Sequence, residues 1–148
     1  TQPYVFHLVM VVNIAKIHIN DFPDLNKDEV LAACWAHDTI EDTRQTYNDV
    51  KKVLGENVAD IVYACTTEKG KTRKERQSEK YYESIRNTPG AIFVKLCDRI
   101  ANTSYSKTKG SDMFEKYKKE FPEFISQLGI ENDPKYAKML NHLKELYT

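Results

Sequence analysis

Cysteine is scarce in this 148-residue chain, and the three that occur, Cys34, Cys65 and Cys97, are odd in number and lack paired spacing. A disulfide framework needs an even set at regular intervals, so a small stapled scaffold is excluded. Each cysteine stands in an apolar helical context, where a free thiol behaves as a small core residue. Reduced thiols favour a cytoplasmic protein. An excess of one charge is lacking too: 22 Lys and Arg offset 22 Asp and Glu. No global field therefore draws the chain to nucleic acid or to a membrane surface. Long apolar runs are also missing. The stretch from Val5 to Ala15 is broken by His7 and Asn13, is too short to span a bilayer and lacks a basic leader. Hairpin signals, internal repeats and low-complexity segments do not occur.

What remains is globular. Apolar residues make up 41% and charged residues 30%, over a length that suits one domain with its own core. The expected fold is all-α, a single compact helical domain of six to eight helices over residues 1–148. Val5, Leu8, Val12 and Ala15 form a helical stripe, with His7 on its flank. Asp21-Phe22-Pro23-Asp24 is a loop. Asn26 caps the next helix with Glu29 in the reciprocal position, and that helix is expected to run to about Asp42. Thr46 with Asp49 caps another, and Gly55 stops it. Val58, Ile61, Val62 and Cys65 mark a buried helix. The apolar run Ala91–Cys97 is ambiguous with a strand. A helix from Ser111 or Asp112 carries Pro122, which is expected to kink or divide it. Asp133-Pro134 opens the last helix.

The densest chemistry lies in His37-Asp38-Thr39-Ile40-Glu41-Asp42, four metal-binding or proton-moving groups in six residues. On a helix, His37 stands above Glu41 and Asp38 above Asp42. The bland alternative is a polar helix end with satisfied charges. Farther on, Asp98 and Asn102 share a helical face within an apolar helix. A buried charge is costly unpaired, so Asp98 needs a partner: Arg99 or Lys95 on the bland reading, a metal on the functional one. The charge is unevenly spread. Residues 20–49 hold eight acids and two bases, whereas residues 66–88 hold seven bases and four acids. An acidic pocket attracts a cation, and a basic segment attracts phosphate.

The series His7, His37-Asp38, Asp98 resembles the HD-domain metal-dependent phosphohydrolases. His37-Asp38-Thr39-Ile40-Glu41-Asp42-Thr43 and Lys95-Leu96-Cys97-Asp98-Arg99-Ile100-Ala101-Asn102 are most similar to the hydrolase domain of RelA/SpoT homologues, the small alarmone hydrolases in particular. The resemblance implies that His7, His37, Asp38 and Asp98 ligate one divalent cation, most often manganese. It implies that Glu41 and Asp42 position and deprotonate the attacking water. It places Asn102 near the substrate, Arg73 with Lys69 and Arg76 toward the pyrophosphate, and Tyr117 at the nucleotide pocket. The implied substrate is a guanine nucleotide, ppGpp or pppGpp, cleaved to GDP or GTP and pyrophosphate. The family's helix before the first histidine is expected to be missing, and Trp35 stands where a small or aliphatic residue is usual. No synthetase domain follows, so synthesis of the alarmone is not expected. Two other readings compete: a different HD phosphohydrolase, acting as a nucleotidase or NADPH phosphatase, and a metal-loaded nucleotide-binding module without turnover.

Overall fold

A computed structural model of the chain describes residues 4–38, 45–66, 72 and 78–148. Among the described residues there are eight α-helices and no strand. They are α1 (Tyr4–His18), α2 (Lys27–Ala36), α3 (Tyr47–Leu54), α4 (Glu56–Cys65), α5 (Glu79–Asn87), α6 (Ala91–Lys109), α7 (Asp112–Leu128) and α8 (Ala137–Leu146). Short 3-10 turns, Ile19–Asp21 and Pro134–Tyr136, follow α1 and precede α8. No described helix is long and apolar enough to cross a membrane.

The centre is α6. It packs against α1, α2, α4, α5, α7 and α8. Ala91, Phe93, Val94, Leu96, Cys97, Ile100 and Ala101 are fully buried along it. A helix apolar on most sides has to be surrounded, which is why its first half resembles a buried strand in the sequence. Its start is set by Gly90 at φ +88, where an added Cβ would stand 3.0 Å from the Ile61 side chain. Both the left-handed backbone and the close approach favour glycine there. The buried side chains form one cluster that includes all three cysteines. The thiols are free, and burial pushes Cys65 up to about 12, so it is held as an unreactive thiol.

The caps behave as their chemistry requires. Asn26 Oδ1 accepts from the Glu29 amide at 3.0 Å. The Glu29 carboxylate accepts from Asn57 at 3.1 Å, which ties the starts of α2 and α4 together. Thr46 and Asp49 form a full capping box. Asp133 Oδ1 accepts from the Lys135 amide at 3.0 Å.

Three expectations need correction. The described part of the second helix ends at Ala36, with His37 as its C-cap, so His37 and Asp38 leave the helix rather than continue it. Val5 is 68% exposed, because it stands in the first turn of α1, beyond the buried arc of Leu8, Val11, Val12, Ile14 and Ala15. Pro122 does not divide α7. It is exposed, so the carbonyl that its ring leaves without an intrahelical donor is on the solvent side. Trp35 is 46% exposed, between buried Cys34 and Ala36.

Candidate metal centre

Three helices bring four side chains to one point. His7 comes from the second turn of α1, His37 and Asp38 from the end of α2, and Asp98 from the middle of α6. One ligand atom from each lies within 4.8 Å of the others. Asp98 Oδ1 is 2.9 Å from His7 Nε2 and 3.0 Å from His37 Nε2. Asp38 Oδ2 is 3.1 Å from His37 Nε2 and 3.8 Å from His7 Nε2. The two Nε2 atoms are 3.4 Å apart. The His37 side chain is 3% exposed, His7 10%, Asp98 14% and Asp38 25%, so the cluster opens to solvent on the Asp38 side.

His37 owes its aim to the way α2 ends. Its Nδ1–H donates to the Cys34 carbonyl at 2.8 Å, which serves one of the carbonyls a helix end leaves unpaired. That bond fixes the ring and commits Nδ1 to the proton, leaving Nε2 toward the carboxylates. Burial opposes a charge on His37, but Asp98 and Asp38 hold its pKa well above 6.5. Burial likewise opposes ionisation of Asp98, yet His37, His7 and Lys95 hold it well below 3.8. An imidazolium and a carboxylate thus compensate each other in the metal-free cluster.

The donor set fits a small divalent cation. Donors bonded at about 2.1 Å to one ion at tetrahedral or octahedral angles lie roughly 3.0–3.4 Å apart. Four of the five separations above, 2.9–3.4 Å, lie in or next to that range, and the fifth, between Asp38 and His7, is 3.8 Å. The two imidazole nitrogens at 3.4 Å can share one proton, and a cation bound by both lone pairs would take that proton's place. His7 Nδ1 is buried and makes no hydrogen bond among the described residues.

Asn102 donates from Nδ2 to Asp98 Oδ1 at 3.3 Å, as the shared helical face predicts. Of the two bland partners for Asp98, Lys95 is the one that reaches it, with Nζ 3.9 Å from Oδ2. Arg99 turns to Glu120 at 3.6 Å and stacks on Tyr117 and Phe124, 4.8 and 3.9 Å from the ring centroids. Tyr117 is therefore buried under a guanidinium in the α6–α7 contact. Glu41, Asp42, Lys69, Arg73 and Arg76 lie outside the described residues.

A second histidine pair escaped sequence reasoning. His18 Nε2 and His142 Nδ1 are 3.0 Å apart and join the end of α1 to α8. Nothing in the sequence links positions 124 residues apart. Burial lowers the pKa of both rings, and for His18 the proximity of His142 lowers it further.

Comparison with known proteins adds a family. A family model described as an HD domain matches residues 4–103. The chain is 33% identical over 100 residues to the guanosine-3′,5′-bis(diphosphate) 3′-pyrophosphohydrolase MESH1 of Danio rerio, covering 68% of this chain and 53% of that protein. It is 32% identical over 132 residues to the guanosine-3′,5′-bis(diphosphate) 3′-pyrophosphohydrolase of Aquifex aeolicus, covering 86% of this chain and 18% of that one. The chain thus spans about half the length of the MESH1 relatives it matches. Among solved structures, a metazoan ortholog of SpoT described as hydrolysing ppGpp superposes with a TM-score of 0.71 at 22% identity, over 99% of this chain and 80% of that one. A Listeria monocytogenes protein superposes with a TM-score of 0.67 at 20% identity, over 100% of this chain and 99% of that one. These likenesses establish a shared helical fold.

Proposed function

This chain belongs to the HD domain family, and on that premise we propose that it is a manganese-dependent hydrolase that removes the 3′-pyrophosphate of ppGpp and pppGpp. The observation that carries the reading is the convergence of His7, His37, Asp38 and Asp98, in a chain whose relatives bear that activity in their names. The four side chains would hold one divalent cation through the two Nε2 atoms and one oxygen of each carboxylate. When bound, such a cation supplies Lewis acidity at the phosphoryl oxygens and lowers the pKa of a water molecule. Mixed imidazole and carboxylate donors suit manganese.

The other roles fall to this chain's own side chains. Glu41 and Asp42 stand three and four residues beyond Asp38. We assign them to orienting the attacking water and accepting its proton on a carboxylate oxygen. The water oxygen bonds to the phosphorus carried by the ribose 3′ oxygen. The bond between that phosphorus and the 3′ oxygen breaks, the ribose oxygen takes up a proton, and pyrophosphate leaves. Arg73, with Lys69 and Arg76, is assigned to the pyrophosphate, whose oxygens a guanidinium binds in pairs. Asn102 is assigned to the nucleotide. Buried, unpaired cysteines favour the cytoplasm, and a ppGpp substrate places the enzyme in the stringent response.

The test is a manganese-supplemented assay of ppGpp, pppGpp, GDP, deoxynucleoside monophosphates and NADPH, with products resolved by chromatography. Pyrophosphate and GDP or GTP from the first two substrates support the reading. Turnover of only monophosphates or NADPH moves the chain to another HD phosphohydrolase, and no turnover despite bound metal makes it a binding module. Glu41→Gln should keep its metal while turnover falls at least ~10²-fold.

A further inference from the structure

We propose that Lys95 is a built-in counter-charge that lowers the affinity of the neighbouring cluster for its cation and holds the cluster in order when the cation is absent. The inference rests on the ligand assignment above. Lysine is almost never buried without a partner, yet Lys95 is 9% exposed in the middle of the core. Its place on α6 explains the partner: three residues before Asp98, it lies on the same helical face.

The two oxygens of Asp98 have divided duties. Oδ1 faces His7 Nε2, His37 Nε2 and Asn102 Nδ2 at 2.9, 3.0 and 3.3 Å. Oδ2 faces the Lys95 ammonium at 3.9 Å. The ammonium is also 5.6 Å from the centroid of the buried Tyr81 ring, whose π face attracts a cation. A cation on Oδ1 and the ammonium at Oδ2 therefore share one carboxylate, and in a low-dielectric setting they repel.

The consequence has two signs. Without a cation, Asp38 and Asp98 place two carboxylates in a half-closed pocket, and the ammonium offsets one of them. With a cation, the same ammonium opposes it. Asn102 and the two imidazoles still orient Oδ1 if Lys95 is removed, so lost repulsion decides the outcome rather than lost orientation. The ion is thereby kept exchangeable while its ligands stay assembled.

Calorimetric titration of metal-free protein with Mn2+, together with thermal unfolding with and without Mn2+, tests this. Lys95→Met keeps the length of the side chain and removes the charge. Its Kd for Mn2+ should tighten about tenfold, on the scale of a nearby like charge removed. Its Tm should fall markedly without Mn2+ and recover when Mn2+ is added. Lys95→Arg keeps the charge and should stay within about twofold of the parent Kd. An unchanged or weaker Kd in Lys95→Met, with an equal loss of Tm in both conditions, overturns the inference and leaves Lys95 as packing. Lys95→Gln carries the same two readouts if the methionine variant does not fold. Failure of the parent protein to bind Mn2+ overturns the ligand assignment instead, a result distinct from equal affinities in parent and variant.

Discussion

The four histidines of this chain form two pairs of nearly the same shape. His7 and His37 have ring centroids 5.4 Å apart, and His18 and His142 have theirs 5.3 Å apart. Each pair joins α1 to another part of the fold, and each brings two ring nitrogens to 3.4 or 3.0 Å. Their chemistry is opposite. Beside the first pair stand Asp98 and Asp38, and His37 is held well above 6.5. At the second, burial outweighs Asp21 at His18, where His142 adds repulsion, and outweighs Glu145 at His142, so both rings are held below that value. Two imidazoles at bonding distance do not make a cation site. A carboxylate at about 3 Å from both rings, as Asp98 is, supplies the charge that a cation needs and that an imidazole pair lacks.

Removing a carboxylate should break the contrast most completely. Asp98→Asn keeps the shape of the side chain and discards its charge. At a free Mn2+ concentration of 100 times Kd, the parent protein should gain about 2.7 kcal/mol of stability, and Asp98→Asn should gain none. Urea unfolding with and without Mn2+ measures both. A full gain in the variant would remove Asp98 from the ligand set.

The next effect is the pH dependence of the metal-free protein, in which the pairs should pull in opposite directions. His37 has a raised folded-state pKa, so its contribution is fully present below 6.5 and is lost as pH rises through the raised value. Asp98 has a lowered one, so its contribution is present above 3.8 and is lost as pH falls through the lowered value. Together they stabilise the interval between roughly 4 and 6.5. His18 and His142 work the other way on the acid side. The unfolded chain takes up protons near 6.5 that these rings resist, so their contribution is lost as pH falls below that value. Histidine titrations followed by NMR should show the His37 resonance moving above 6.5 and those of His18 and His142 below it. A His37 that titrates with the other two would erase the distinction.

The smallest effect should come from the second pair itself. His142→Ala removes one imidazole–imidazole hydrogen bond, worth about 0.5–1.5 kcal/mol. Denaturant unfolding should register that loss, while Mn2+ affinity stays at the parent value. A change in Mn2+ affinity would show that the two pairs are coupled along α1.

In the first pair His37 was legible in the sequence and His7 only through the family resemblance, and the second pair was not legible at all. His37-Asp38 is a local signal, and Asp98 declares itself as a charge inside an apolar helix that ends its motif with Asn102. Caps carried by side chains, such as Thr46 with Asp49, were also readable, because both partners lie within one turn. The end of α2 was not readable. Ala33-Cys34-Trp35-Ala36 contains no glycine or proline to stop it, and the stop is made by a side chain, His37 bonding back to Cys34. Pro122 was expected to kink or divide α7, and it does not divide it, because a proline on the solvent side of a helix costs less than one facing the core. Lys95 looked like one of two interchangeable bases flanking Asp98. Only the tertiary arrangement separates it from Arg99, which is drawn to Glu120 and two aromatic rings.

Anomalous diffraction from crystals soaked in Mn2+ asks which histidine pair takes the ion. A single strong peak is expected within bonding distance of His7 Nε2, His37 Nε2 and the carboxylates of Asp38 and Asp98. A peak between His18 and His142, or no peak at the four converging side chains, would contradict it.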